Sequence, residues 1–545
     1  MTQGAAGAAG EAPDPRTPAP LPVADSSALA PLRLRAFRWL WLGVLISWIG
    51  TSMHIVGAQW LVVDDPNAAA LVSLVQAVST LPLMLLALPG GVLADSFDRR
   101  WLLITVQAYI FVIGILLAVL TAAGQMTPVL LLALTFALGV GGAVQIPTWQ
   151  AMLPGLVPRR QLRAAARLDL VGVNIARSIG PVLAGLVIAH LGGVPVVFAL
   201  NAASVVVFAV ALLLWRGPQA GTDSRRERFM PALRAGGRYI WHEPIVRRIL
   251  LRAILFIVPA MALWALLPLV ATQRLNIGAD GYGALFGALG VGAILGALVL
   301  GRVRQRLSAN GVLGAAGVLY AASLAAIVLA SIFPAAFGIL VLAGLAWMAV
   351  TATLAGELQL FLPAWVRARG LAIYTVTFTG SMTAGALLWG LLAEAAGLRT
   401  TLLIATFFVL ASVIAGLAWR LPETGHLDPR PAIYWPDARL AFDPEPDAGP
   451  VLVTVEYVVS PDREAAFLDA MDHLRRSRRR TGASRWELYR DGERPDRFVE
   501  VFSVPSWEEH LRQHEGRLTA ADKAIEEAAV AFSDPPARGE HLFPP

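Results

Sequence analysis

The sequence predicts an all-α polytopic membrane protein, with twelve transmembrane helices in two six-helix halves and a small α+β domain after them. Three observations carry that prediction. The 545 residues are 56% hydrophobic and only 15% charged, with a mean hydropathy of +0.62, whereas soluble domains are about a quarter charged. Twelve apolar runs are long enough to cross a bilayer, since a helix rising about 1.5 Å per residue needs about 20 residues to span about 30 Å of hydrocarbon. The chain also repeats itself: Pro158 falls in register with Pro363, Gly180 with Gly385, Leu183 with Leu388, Gly185 with Gly390 and Gly192 with Gly397.

The first six runs, at 37–62, 68–94, 101–123, 128–150, 165–190 and 194–215, form one half, 37–215. The runs at 247–271, 281–301, 309–332, 334–357, 367–395 and 398–420 form the other, 247–420. Lipid offers no partner to an unpaired backbone amide, so each run is a helix. The repeat sets span 5 against span 11; one residue further on, Gly90 meets Gly296 and Arg100 meets Arg306, although Asp95 meets Gly301. Parallel halves of this kind underlie alternating access, with substrate held near the midplane between them.

Basic residues in short loops stay on the cytoplasmic side. Arg33, Arg35 and Arg38 precede span 1, Arg99 and Arg100 follow span 2, Arg159, Arg160, Arg163 and Arg167 follow span 4, and a cluster from Arg216 to Arg238 follows span 6. Arg302, Arg304, Arg306, Arg367, Arg369 and Arg420 continue the series, against Arg274 and Arg399 on the alternate links. Both termini are therefore expected in the cytoplasm, the chain lying in a bacterial inner membrane. The net charge of +6 reads as topology, and its spread over many loops argues against a nucleic-acid partner.

Residues 1–36 are rich in Ala, Pro and Gly, lack a signal-type apolar core, and read as a retained, disordered cytoplasmic terminus. Between the halves, 216–246 interleaves Arg225, Arg226, Arg228, Arg234 and Arg238 with Phe229, Met230, Leu233, Tyr239 and Ile240. The spacing suits an amphipathic helix on the cytoplasmic membrane interface, or equally a linker with snorkelling arginines.

A Pro- and Asp-rich linker with few cross-contacts, 421–450, leads to an α+β domain at 451–533 and a tail at 534–545. Alternation marks strands at Val451–Val458, Arg485–Arg490 and Arg497–Phe502, with helices near 461–478 and 506–531; a fourth strand is not evident. The apolar face of the first strand offers a homodimer contact. His510 and His514 stand four apart, a spacing that can ligate zinc, but no third ligand is visible and the expectation is no metal. Without cysteine there are no disulfides or thiolate sites. The only lysine is Lys523, so no phosphate-cradling Gly-x-x-x-x-Gly-Lys loop exists and ATP drive is not expected. No acid, base or nucleophile constellation appears in the tail, so neither enzyme activity nor a cofactor is expected.

The link Gly90–Arg100, Gly-Gly-Val-Leu-Ala-Asp-Ser-Phe-Asp-Arg-Arg, resembles the loop between helices 2 and 3 of the major facilitator superfamily, Gly-x-Leu-Ala-Asp-Arg-x-Gly-Arg-Lys. Gly91, Leu93, Ala94, Asp95, Arg99 and Arg100 fall in register, and Asp98 replaces the second glycine. The resemblance implies that Asp95 pairs with the start of helix 11, here Arg367 and Arg369, as a latch on the outward-open state; a helix amino end favours such a carboxylate. Ala176–Gly185 resembles the antiporter signature Gly-x-x-x-Gly-Pro-x-x-Gly-Gly, marking Gly180, Pro181 and Gly185 as a gating helix. The segments 156–165 and 362–369 resemble the exporter branch that includes the enterobactin exporter and macrolide efflux proteins. In span 4, Thr135 replaces the arginine usual in proton-coupled exporters, so coupling to protons rests on the branch alone. The order β-α-β-β-α resembles the ferredoxin-like antibiotic-biosynthesis monooxygenase domains.

A charge at the bilayer centre costs about 2.5–3.5 kcal/mol on insertion scales, so those that persist are candidates: Arg177 in span 5, His54 in span 1 and Glu357 in span 10. Arg177 needs Glu357, a substrate anion or backbone oxygens as partner. His54 is either a proton carrier near neutral pH or a packing residue. Gln59, Gln145, Trp149, Gln150, Trp264, Thr351, Thr353, Tyr374, Thr377 and Thr379 are expected to line the cavity. With no cluster of fixed charge, a bulky amphipathic ligand suits it better than a sugar phosphate or an inorganic ion. The expected function is secondary export of a small amphipathic compound, a siderophore, drug or secondary metabolite, with the proton as coupling ion. The alternatives are import of a small metabolite and a transporter fused to a monooxygenase-like enzyme.

Overall fold

The computed structural model describes residues 29–215, 217, 229–422 and 440–544, so the expectations for 1–28, most of 216–228 and 423–439 fall outside it. Among the described residues, twelve helices are long and apolar enough to cross a membrane. The first half contains α1 (Arg35–Leu61), α2 (Ala68–Ser96), α3 (Arg99–Ala122), α4 (Pro128–Leu156), α5 (Leu162–His190) and α6 (Val194–Leu214). A bridging helix, α7 (Phe229–His242), precedes α8 (Pro244–Leu269), α9 (Ala279–Arg304), α10 (Ala309–Leu329), α11 (Phe333–Phe361), α12 (Ala364–Ala396) and α13 (Leu398–Ala418). Several helices outrun their apolar cores because a polar cap starts them. Asp98, Thr127 and Ser308 each accept a backbone N–H in the first turn of α3, α4 and α10, satisfying one of the donors a helix start leaves open.

Two seams join the halves, α2 against α12 and α5 against α9. The internal repeat pairs α2 with α9 and α5 with α12, so each seam is the other's mate under a pseudo-twofold. The repeated glycines keep that equivalence. Gly180 lies on Ile49 and Ser52 of α1, and Gly385 on Val258 and Met261 of α8. Gly185 touches Ala279 and Asp280 at the start of α9, and Gly390 touches Ala69 and Ser73 at the start of α2. In each case the missing side chain lets two helices approach closely.

The C-terminal domain contains β1 (Val451–Val458), α14 (Glu464–Thr481), β2 (Arg485–Arg490), β3 (Arg497–Val504), α15 (Trp507–Arg512), α16 (Ala520–Val530) and β4 (Arg538–Leu542). Its antiparallel sheet runs β2-β3-β1-β4, a ferredoxin-like β-α-β-β-α-β arrangement. The fourth strand lies in the stretch expected to be a tail. Arg538-Gly-Glu-His-Leu shows no apolar alternation, and pairing with β1 makes it a strand. The apolar face of β1 is not a dimer surface: Val451, Val453 and Tyr457 pack on Phe467, Met471, Leu474, Phe498 and Phe502 in the domain's own core.

Nor is this domain tethered with few cross-contacts. It is docked: α14 packs across α7, which in turn packs on α12. Tyr239 and Ile240 of α7 are buried by protein, Tyr239 standing edge-on to Trp365 at 5.6 Å. Tyr239 and Ile240, part of the face expected to lie in lipid, thus belong to a bracket between the membrane bundle and the domain; Phe229, Met230 and Leu233 fall outside the described side chains. Arg480 donates to Glu243 Oε2 at 2.6 Å across that joint and to Asp522 Oδ1 at 2.6 Å within the domain. Burial alone would raise the Asp522 carboxyl, but Arg480, Ser477 and Thr519 outweigh it and hold it below the usual aspartate value. The contribution is therefore complete above the unfolded carboxyl value and fades as pH falls through the lowered one.

Arg480→Ala would leave two buried carboxylates without their cation, a loss of about 3–5 kcal/mol. The domain should detach first, seen as rapid protease cleavage within 423–439 while the helical bundle stays protected. Unchanged cleavage would show that the joint does not depend on this pair.

Candidate functional site

With an even number of spans, α1 begins and α13 ends on one face of the bundle, which also carries the arginine-rich links. This is the basic face. On the opposite face the halves are shut. Tyr282 Oη donates to Gln59 Oε1 at 2.6 Å, Thr80 and Thr383 share a hydrogen bond of 2.8 Å nearer the middle, and Gly185 and Gly390 close the seams. A cavity of ≈ 430 Å³ lies in this closed face, with Asp64, Asp65, Gln273 and Glu394 among its lining.

The helical period of α5 places Arg177. Successive residues turn about 100°. Gly172 and Gly180 face α1, Ser178 and Gly185 face α9, and Ile179, Leu183 and Leu186 form an exposed apolar arc of the kind lipid covers. Arg177 falls on the remaining arc, towards the space between the halves, where it is exposed and makes no hydrogen bond or ion pair among the described residues. Of the partners the sequence offered, Glu357 is taken: it is buried and pairs with Arg304 of α9 at 2.5 Å.

His54 is only 3% exposed, its Nε2 3.3 Å from Thr135 Oγ1 and its ring against Phe198. It is enclosed by α1, α4 and α6, and its Nδ1 is buried without a partner among the described residues. Trp149 is buried and its Nε1 donates to Asp169 Oδ1 at 2.6 Å. Gln145 is buried and Gln150 exposed. Tyr374 Oη and Thr353 Oγ1 are buried without partners among the described residues, an arrangement that calls for water or a ligand.

Sequence reasoning missed Asp169, although it is the only acid of span 5. It named Trp264 and Tyr374 but missed the continuous aromatic run, from α1 through the second half, to which they belong. Trp60 stacks on Tyr282 (5.8 Å), followed by Phe286 (6.2 Å), Trp264 (5.4 Å), Trp347 (5.5 Å), Phe378 (6.2 Å) and Tyr374 (6.1 Å), all within the preferred ring spacing. The available signal was position, since Trp347 and Phe378 lie far from the membrane interfaces where aromatic belts sit.

On the basic face, Arg99 donates to Ala151 O (2.8 Å), and Arg100 to Leu212 O (2.8 Å) and Leu213 O (2.9 Å). These contacts stitch α3 to the ends of α4 and α6 inside the first half. Arg367 reaches back to Leu362 O, and the stem of Arg369 lies on Gly236 of α7. The Asp95 side chain lies outside the described residues. A Cβ on Gly91 would meet nothing, whereas one on Gly90 would stand 2.7 Å from Ala143 O; the close approach is at Gly90.

The profile of a protein family described as "Transmembrane secretion effector" matches residues 26–540. The chain belongs to this family. Among curated relatives of this chain, the Staphyloferrin A transporter of Staphylococcus aureus is 32% identical over 26% of the chain and 35% of its own length. The multidrug efflux pump Tap of Mycobacterium tuberculosis is 27% identical over 37% and 50%. Macrolide efflux protein A of Streptococcus pyogenes is 22% identical over 44% and 60%. The matches therefore span about a third to three fifths of these relatives. Among solved structures, a bacterial homologue of the human lysosomal transporter Spinster, inward-facing and unoccupied, superposes with a TM-score of 0.58 at 15% identity, covering 70% of this chain and 96% of that one. The POT family transporter PepTSo gives 0.58 at 13%, covering 71% and 97%. These likenesses show the fold, twelve helices in the major facilitator arrangement. The chain is thus a twelve-span membrane protein of the transmembrane secretion effector family.

Proposed function

We propose that this protein exports a small amphipathic compound, carrying an anionic or strongly hydrogen-bond-accepting group, from the bacterial cytoplasm by proton-driven alternating access. The basic face is then cytoplasmic, both termini lie inside, and the closed opposite face makes the described state inward-open. The observation that carries the reading is Arg177, exposed towards the space between the halves. A cation kept at that depth is costly unless a ligand uses it. The aromatic run ending at Tyr374 supplies the apolar wall such a compound needs, and the siderophore, multidrug and macrolide transporters among the relatives point to the same substrate class. Asp169, about two turns from Arg177 on α5, is the nearest candidate on that helix for carrying the coupling proton.

Overexpression should lower the accumulation of an amphipathic dye in energised cells, and a protonophore should abolish the effect. Raised accumulation would overturn export in favour of import. The latch belongs to the other half of the cycle: Asp95 meeting Arg367 and Arg369 once the cytoplasmic face closes. Asp95→Asn should insert normally and reach wild-type abundance, yet transport several-fold more slowly, because the lost charge favours one state over the other. Wild-type rates in that variant would remove the latch.

A further inference from the structure

The histidine pair noted in the sequence gains its third member from the unexpected strand. His510 lies on α15, His514 in the turn that follows, and His541 on β4, where it pairs with Val453 of β1. His510 Nε2 stands 2.8 Å from His541 Nε2 and 3.2 Å from His514 Nε2, and the three ligand atoms lie within 4.8 Å of one another. His510 is fully buried, and its Nδ1 contacts Gln513 Oε1 at 3.0 Å. That contact fixes the ring so that Nε2 faces the other two rings, the outer-shell support typical of metal-bound histidine.

A hydrogen-bond chain does not account for this arrangement. In either neutral tautomer Nε2 of His510 offers one proton or one lone pair, yet two imidazole nitrogens converge on it. An ion accounts for all three. With bonds of about 2.0–2.1 Å in tetrahedral geometry, neighbouring nitrogens lie about 3.3 Å apart; the His510–His514 edge of 3.2 Å matches this, the His510–His541 edge of 2.8 Å is shorter, and the third pair lies within 4.8 Å. We propose that His510, His514 and His541 form a three-histidine site for a divalent first-row transition ion, zinc foremost, with its fourth position open to water or a small ligand. An all-imidazole set suits zinc, copper, nickel or iron and does not suit magnesium or calcium. Metal binds the neutral imidazole, so occupancy should fall as pH drops. The site sits beside the docking joint: the adjacent Glu509 pairs with Arg517 and Arg238, and Arg517 covers the Trp365 ring at 5.1 Å.

The test uses the full-length protein in detergent, purified through a tag free of histidine, stripped with chelator and desalted. Zinc is added back, with metal content read by mass spectrometry and geometry by the visible bands of a cobalt(II) substitute. A single zinc per chain and a tetrahedral cobalt spectrum are expected. His514 and His541 are only partly buried, so His514→Ala and His541→Ala should remain monodisperse. Each should weaken zinc binding by about 100-fold or more, since even an outer-shell partner costs 10- to 100-fold. Gln513→Ala should weaken it by about 10- to 100-fold while keeping the tetrahedral spectrum. Zinc held equally by the wild type and by the His514→Ala/His541→Ala double variant, or held by neither, would overturn the assignment.

Discussion

Gly185→Leu is expected to abolish transport while leaving the protein inserted and at normal abundance. A side chain at this position runs into the Ala279 carbonyl oxygen and the Asp280 backbone, groups that cannot rotate away. The seam lies between the halves and not within either, so the clash opposes closure of the face opposite the basic one without disturbing the packing of each bundle. Overpacking of this kind costs about 1–3 kcal/mol, which shifts the balance between states by about 5- to 150-fold towards outward-open. The chain has no cysteine, so a single reporter is clean: Ser178→Cys, buried against Gly290 of α9, should react with an impermeant thiol reagent from outside only when Gly185→Leu is also present. Equal labelling with and without the leucine would show that the seam is not the gate. The repeat predicts the same direction for Gly390→Leu, with a smaller effect, because its nearest neighbour is the movable Ser73 hydroxyl.

Arg177→Gln carries the second large effect. A hydrogen bond to a charged group is worth about 1.5–3 kcal/mol, so the concentration giving half-maximal transport should rise about 10- to 100-fold. Arg177→Lys should recover part of that, since it keeps the charge but loses the planar fork. A loss confined to turnover, with substrate affinity unchanged, would assign Arg177 to the conformational cycle instead of the substrate.

The spans and the pseudo-twofold were legible because apolar length and small-residue spacing are local properties of the chain. The register Gly180 with Gly385 and Gly185 with Gly390 even anticipated matching neighbours in the two halves. What was not legible depends on distant contacts. That Glu357 belongs to Arg304 and not to Arg177 follows from the packing of α9 on α11. That Arg99 and Arg100 tie helices of their own half together follows from where α4 and α6 end. The fourth strand was hidden because Arg538–Leu542 has no pattern of its own, and with it went His541 and the completed histidine trio. The docked domain was hidden because the residues that hold it, Arg238 and Tyr239 of α7 and Glu243 just after it, lie in a stretch that read alone as an amphipathic membrane surface or a linker.

The central claim is gradient-driven export through the space that Arg177 faces, and everted membrane vesicles test it most directly. With the vesicle lumen acidified, wild-type protein should draw an amphipathic fluorescent dye inward; a protonophore should release it, and Arg177→Gln should need far more dye for the same rate. Dye movement that ignores the proton gradient, or that runs out of everted vesicles when the gradient is imposed, would contradict the account.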